Sequence, residues 1–267
     1  MIESARVYRR KRPAMGTFAT ITVERSRRAP RAVAAAFAEL RRLEAMLTVF
    51  APGSALSRLN DAPVATEVEI PPELAAVLRL ALRVRRLSGG AFDPWFASGA
   101  PPSADPLVLI RKGGRTRARK LLPVRLDLSG VAKGFAVDRA VAALKRRLPR
   151  ASGCVDVGGD LRFFGSAPRL TALRVGPPRR PFLRRLRLDV PALACSSPAY
   201  ARAHPASSTR YGRRARAATA AAVARSCMRA DALTKVGLFA DPRTARACAQ
   251  ALGASILLFD GAGRARA

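Results

Sequence analysis

The chain has one histidine, His204, and four cysteines, at positions 154, 195, 227 and 248. No two cysteines form a CxxC pair, and a single histidine cannot complete a zinc site of ordinary spacing. Disulfide frameworks serve small secreted chains that lack room for a core. At 267 residues and 49% apolar composition this chain has that room, so the cysteines read as small buried hydrophobes. One histidine also removes the ordinary footing for Ser-His-Asp chemistry. No run of uninterrupted apolar residues is long enough for a spanning helix. Aromatics make up only 6%, with three tyrosines and one tryptophan, and they do not interleave with basic residues as stacking platforms for single strands do. Acids are the scarcest group relative to their opposites: 18 Asp and Glu face 49 Lys and Arg, a formal charge of +31. Only six of those cations are lysine. Such a surplus invites a nucleic-acid partner. It is scattered among alanines throughout, however, and no nucleic-acid motif accompanies it. No specific nucleic acid is therefore expected; the surplus suits loose, salt-sensitive attraction to acidic partners.

What is present is globular composition. The opening MIESARVYRRKRPAMGTF has charges but no apolar core segment and no cysteine for a lipid, so it does not read as a signal peptide. The expected compartment is the cytoplasm, or the periplasm if the start is misassigned. Residues 1–12 read as a basic tail and 13–267 as one domain. Residues 17–23 alternate like a strand. Val33, Phe37, Leu40 and Leu47 share one face of a helix over 31–47. Proline at 72 and Gly89-Gly90 bracket a second helix over 72–87. Residues 97–106 read as a loop. The run 111–120, RKGGRTRARK, reads as a hairpin turning at Gly113-Gly114, either a solvated edge or a phosphate-binding patch. Leu126–Leu128 reads as a strand end and a helix follows Gly130. Strands are expected at 153–157, 161–165 and, half-exposed, 183–190. Residues 201–216 read as a loop, 229–239 and an Asp241-capped 242–252 as helices, and 255–260 as a last buried strand.

Three segments carry candidate chemistry. Asp127-Leu-Ser-Gly130-Val-Ala-Lys133-Gly134 ends a strand in an acid and opens a helix carrying a lysine; helix-start amides plus Lys133 suit a phosphate, though a plain strand-to-helix turn has the same look. Val157-Gly158-Gly159-Asp160 is the second candidate, though a tight turn explains Gly-Gly-Asp without any function. In Ala230-Asp231-Ala-Leu-Thr234, acid and hydroxyl share a helical face and can both offer oxygen to a hard cation, or simply cap a helix.

Taken together the pieces resemble one family. Ala14-Met15-Gly16-Thr17 comes first, followed by Phe50 through Asn60, Gly89-Gly90-Ala91-Phe92-Asp93-Pro94 and Asp127 through Asp138. Val157-Gly158-Gly159-Asp160-Leu161-Arg162, Cys195 through Tyr200 and Ala230 through Lys235 complete the order. The chain resembles the ApbE family, the FAD:protein FMN transferases, over residues 13 to 260. The resemblance implies an α+β fold of mixed sheets with packed helices in a single compact unit, related to the T-fold. It implies Mg²⁺-dependent transfer of FMN from FAD to a threonine or serine hydroxyl of a target flavoprotein, through a phosphoester and with release of AMP. By the same resemblance, Met15, Phe50, Ala91, Phe92, Asp93, Asp127 and Lys133 contact FAD. Gly130 (by its carbonyl), Asp231 and Thr234 hold the metal, and Asp231 and Thr234 are catalytic.

The pattern is broken twice. Many members carry threonine four residues after the Asp231 position, where this chain has Lys235. A His-x-x-Asp-Pro-x-Thr-Gly segment is replaced by Ala203-His204-Pro205-Ala206-Ser207-Ser208-Thr209-Arg210-Tyr211-Gly212. A flavin-binding relative with weak or no transferase activity is the second reading these departures leave open.

Overall fold

The structure, a computed structural model, describes residues 6–98, 105–176, 179, 181–199 and 215–266. Its main sheet is built from hairpins. Strand β1 (Val7–Ala14) turns at Met15-Gly16 into β2 (Thr17–Glu24). Both turn residues have positive φ, 56° and 69°, the geometry that suits the right-handed twist of a two-residue hairpin. The expected basic tail is thus corrected: Val7–Arg12 is edge strand, with Lys11 and Arg12 paired to Thr20 and Ala19. Cationic side chains on such an edge discourage pairing with another chain.

Helix α1 (Ala29–Leu47), the short α2 (Ala55–Asp61), strand β3 (Glu67–Ile70) and helix α3 (Pro72–Leu87) follow, then the hairpin β4 (Leu107–Lys112) and β5 (Arg115–Lys120). The basic hairpin sits in a three-stranded sheet ordered β3-β5-β4. Arg115 and Arg117 pair with Glu69 and Glu67 across it, which makes this run part of a charged ladder. Leu126–Leu128, expected as a strand end, is not a strand. Its backbone is held instead by Asn60, which accepts from Leu126 N at 2.7 Å and donates to Leu126 O at 3.0 Å.

Helix α4 (Ala132–Arg147), β6 (Gly153–Val157), β7 (Asp160–Phe164), the β8 (Leu170–Val175) and β9 (Phe182–Arg187) hairpin, β10 (Ala192–Ser196) and β11 (Thr219–Ala224) come next. Helices α5 (Cys227–Phe239) and α6 (Pro242–Ala251) and strands β12 (Ala254–Phe259) and β13 (Ala265–Arg266) close the chain. The strand expected to be last and buried, β12, is half-buried and pairs on to β13. The main sheet runs β1-β2-β6-β7-β10-β11-β12-β13, antiparallel at every pairing. Period-two alternation divides its side chains. Ala192, Ala194, Ala220 and Ala222 face the helices in the large core, while Leu193 and Ala221 face a smaller core with Leu173 and Val175 of β8. The small residues let α5 lie close over β10 and β11.

Asp138 of α4 ties the two central helices together. Its carboxylate accepts from Cys227 N (2.9 Å) and Met228 N (3.0 Å), the first amides of α5, and from Arg162 Nη1 (2.6 Å). A negative charge at a helix N-terminus answers both the free amides and the dipole. Asp138→Ala is expected to destabilise the fold by about 2–4 kcal/mol, the sum of a lost cap and stranded buried donors. Asp138→Asn, which keeps an acceptor oxygen, is expected to lose less. Urea midpoints for the two variants check this, and equal midpoints would remove the capping role.

Candidate active site

Helix α5 is buried all round: of its residues only Met228 and Arg229 fall outside the buried set. An acid, a hydroxyl and a lysine on such a helix must find partners among themselves or on neighbours. They do. Lys235 Nζ reaches back one turn to pair with Asp231 Oδ1 and donates to Asp231 O at 3.2 Å. The other carboxylate oxygen, Oδ2, accepts from Gly134 N of α4 at 3.0 Å. Thr234 Oγ1 donates to Asp231 O at 2.7 Å and lies 2.7 Å from Ser196 Oγ at the end of β10.

One residue before Gly134, Lys133 pairs with Asp160 Oδ2, at the start of β7. Asp160 is fully buried, whereas the Lys133 side chain keeps 28% of its surface exposed. Asp160 Oδ1 has no hydrogen-bond partner. Two carboxylates and two ammoniums thus converge from three elements and cancel in charge.

Their environments differ. Burial and the neighbouring Asp231 charge push Asp160 up to about 6, against the pull of Lys133 and Lys235. Burial acts the same way on Asp231, but Lys133, Lys235 and the Gly134 amide outweigh it and hold Asp231 below its ordinary value. Burial also works against the Lys133 charge, and Asp160 and Asp231 overcome it, so Lys133 stays protonated. Cys195 is pushed up to about 12 by burial and then by Asp160; Cys154 reaches about 12 by burial and Asp156. Cys227 lies well above its ordinary value for the same reasons. Because the thiolate is the reactive form, iodoacetamide at about pH 8 is expected to spare Cys154, Cys195 and Cys227 in the folded protein and to label all four cysteines after unfolding. Intact mass reads this directly, and rapid labelling of Cys195 in the native state would contradict it.

The residues expected at the site separate into two groups. Gly130, Lys133, Asp231 and Thr234 come together. Lys235 packs on Gly130: a Cβ built there would stand 3.6 Å from Lys235 Cε and 3.1 Å from Phe92 Cε2. Ala91 and Phe92 are in the core, with relative exposures of 0% and 1%, and Phe92 lies against Gly130. Asp93 pairs with Arg85 at 3.5 Å and accepts from Trp95 N at 3.2 Å. Asp127 accepts from Ser129 N at 2.8 Å and its own amide donates to Pro94 O at 2.6 Å, which joins the 91–95 segment to the start of α4. Met15 sits at the β1–β2 tip with strained positive φ, and Gly16 N beside it donates to Glu44 of α1. Phe50 stands 82% exposed in the loop after α1.

The expected helix-start cradle is also different. The amides of Val131 and Ala132 donate to Leu128 O, and that of Gly134 to Asp231, so these donors are not open to an anion. Three further residues complete the cluster: Asp160, Lys235 and Ser196. Asp160 stands in a Gly-Gly-Asp turn that explained itself; its only distinguishing signal is an acid opening a strand that is otherwise apolar or aromatic on its buried positions.

The divalent cation implied at Gly130, Asp231 and Thr234 does not fit the donors as they stand. Every oxygen of Asp231 carries a donor, Lys235 lies against Gly130, and the cluster is already neutral. Among the described residues no group of three or more His, Cys, Asp or Glu is disposed to hold a metal.

This fold, an antiparallel sheet under two central helices, matches known proteins. The ApbE family model matches residues 15–100 and 103–258, and the chain belongs to the ApbE family. Two curated relatives bear the name FAD:protein FMN transferase. The one from Haemophilus influenzae is 29% identical over 153 residues, 47% of this chain and 44% of the relative. The one from Treponema pallidum is 30% identical over 190 residues, 60% of this chain and 52% of the relative. The chain thus matches about half the length of each. Among solved structures, the ApbE protein of Thermotoga maritima superposes with a TM-score of 0.77 at 24% identity, covering 97% of this chain and 96% of that one. The flavin transferase ApbE of Vibrio cholerae gives 0.75 at 21%, covering 95% and 93%. These two share the fold. No helix among the described residues is long and apolar enough to cross a membrane.

Proposed function

We propose that this protein splits FAD and transfers its FMN half, through a phosphoester bond, to a threonine or serine hydroxyl of a target flavoprotein, with AMP as the other product. The observation that carries the reading is the family match over nearly the whole chain, with relatives named for this transfer. The cluster supplies suitable chemistry. Attack on the FMN phosphorus builds negative charge on the phosphoryl and leaving oxygens, and a preorganised cation stabilises it. Lys133, whose side chain is the partly exposed one of the cluster's two lysines, is that cation. Asp160 holds its Nζ, and Asp231 fixes the backbone beside it through Gly134. Ser196 and Thr234 support Asp231 from below. The exposed Phe50 ring offers a face on which a flavin or adenine ring stacks. No step is routed through a divalent cation, since the donors leave it no place. A net charge of +31 favours an acidic target surface and a salt-sensitive encounter.

The replaced segment around His204, which lies outside the described residues, and the engagement of the Thr234 hydroxyl favour a second reading, flavin binding with weak or no transfer. One experiment separates the two. The purified protein is mixed with FAD, with and without Mg²⁺, and with a candidate flavoprotein carrying an acceptor threonine. Covalent fluorescent flavin on the target in a denaturing gel supports transfer. Bound FAD with an unlabelled target supports the second reading, and absence of FAD binding removes both.

A further inference from the structure

We infer that Lys235 is a built-in cation standing where the resemblance implies a divalent metal, so that this chain binds and cleaves the FAD pyrophosphate without one; the inference rests on the transferase reading above. Four observations carry it. Lys235 follows Asp231 by one helical turn, the spacing that brings the next side chain back over the carboxylate. Its Nζ pairs with Asp231 Oδ1 and donates to the Asp231 backbone carbonyl at 3.2 Å, so an ammonium occupies the carboxylate expected to hold the cation. Its stem packs on Gly130. It is 7% exposed on a buried helix, so its partner lies in the cluster and not in solvent.

The charge balance makes the substitution self-consistent. Asp160 and Asp231 are fully buried, and Lys133 and Lys235 neutralise them. A buried charge must be paired, and here it is. Adding a doubly charged ion to a neutral buried cluster leaves it at +2, and expelling Lys235 brings that only to +1. A short, neutral side chain at position 235 removes the ammonium, leaves the two acids with only Lys133, and opens the space against Gly130. The site then has the charge and room that a hard cation requires.

The transfer balances without a metal. The acceptor hydroxyl oxygen bonds to the FMN phosphorus, the bond from that phosphorus to the pyrophosphate bridge oxygen breaks, AMP leaves with that oxygen, and the hydroxyl proton passes to solvent. No electrons are exchanged.

Mn²⁺ serves as the probe, read by loss of the free-ion electron paramagnetic resonance signal. The wild-type protein, with and without FAD, is expected to take up no stoichiometric Mn²⁺ at concentrations up to about 1 mM, the weak end of protein sites for hard cations. Lys235→Thr is expected to gain one Mn²⁺ per chain, and Lys235→Thr combined with Asp231→Asn to lose it again. FAD affinity of the wild type, followed by flavin fluorescence, is expected to change less than about tenfold between EDTA and Mg²⁺. Stoichiometric Mn²⁺ uptake by the wild type, or FAD binding that collapses in EDTA and returns with Mg²⁺, would overturn the inference. Because Lys235→Thr is tested for a gain, misfolding cannot imitate the expected result, and if that variant fails to fold the wild-type titration still decides. Absence of FAD binding under every condition would bring down the transferase reading, while Mn²⁺ uptake by the wild type would bring down the lysine alone.

Discussion

Gly134→Ala is expected to destabilise the protein by about 2–4 kcal/mol and to weaken FAD binding with it. The position lies in the first turn of α4, where alanine ordinarily gains about 1 kcal/mol over glycine. Here that gain is overwhelmed. A Cβ on residue 134 would meet the Cys227 carbonyl group, with its carbon at 2.7 Å, and Asp231 Cβ at 2.8 Å. The first is backbone at the start of α5, so no rotamer change relieves the clash; α5 must move away from α4. That movement lengthens the 3.0 Å bond from Gly134 N to Asp231 Oδ2 and loosens the two bonds by which Asp138 caps α5. Gly53→Ala is the control. Nothing lies within 4 Å of a Cβ there, and it is expected to stay within about 0.5 kcal/mol of wild type. Urea unfolding of both variants, with FAD titration, makes the comparison. Equal midpoints would show that the helix–helix approach at Gly134 is looser than described.

Much of this architecture was legible in local chemistry. Proline 72 and the Gly89-Gly90 stop bracketed α3, which spans Pro72–Leu87, and Gly113-Gly114 marked the hairpin between β4 and β5. Asp241 caps α6 by accepting from Thr244 N at 2.9 Å, as an aspartate ahead of the helix at 242–252 suggests. These signals act within a few residues, where sequence spacing is also spatial spacing. Strand β1 was missed because VYRRKRPA carries no alternation; its conformation comes from register with β2, and its long cations satisfy an edge without a buried face. Residues 126–128 suggested a strand by hydrophobicity, yet their backbone partner is the side chain of Asn60, 66 positions away from Leu126.

The site divides in the same way. Lys133, Asp231 and Thr234 stood out as residue types, and the family resemblance placed them together. Their partnership with Asp160 and Lys235 is tertiary: Lys133 and Asp160 are 27 residues apart, and the helix and strand that carry them meet only through the packing of α4 on β7. Ala91 and Phe92 are both buried, with Ser88 Oγ accepting from Phe92 N at 3.0 Å and folding the segment inward over the core, a side-chain-to-backbone contact that residue types alone do not reveal.

Lys133→Met is expected to reduce FMN transfer by at least about 10²-fold, the usual cost of removing one preorganised charge from a developing anion. It is also expected to destabilise the fold by about 3 kcal/mol near neutral pH, because breaking a buried pair leaves the partner charge uncompensated. The partner is Asp160, fully buried, with Oδ1 already lacking a donor. The pH dependence separates the two effects. Asp160 has a folded value of about 6 against an ordinary 3.8, raised by burial and Asp231 while Lys133 pulls it down. A carboxyl raised on folding binds its proton more tightly in the native state, so its contribution is full below about 3.8 and is lost as pH rises through 6. Removing Lys133 moves the folded value higher still. The stability deficit of Lys133→Met is therefore expected to be large at about pH 8 and to shrink towards about pH 5, where Asp160 is neutral and needs no ammonium. Adding Asp160→Asn to Lys133→Met should abolish that pH dependence and restore much of the stability, since no buried charge is left unpaired. It should not restore transfer, because the cation we propose for the pyrophosphate is still gone. Recovery of transfer in the double variant would mean that Lys133 serves only to neutralise Asp160, and that the pyrophosphate is held by other residues.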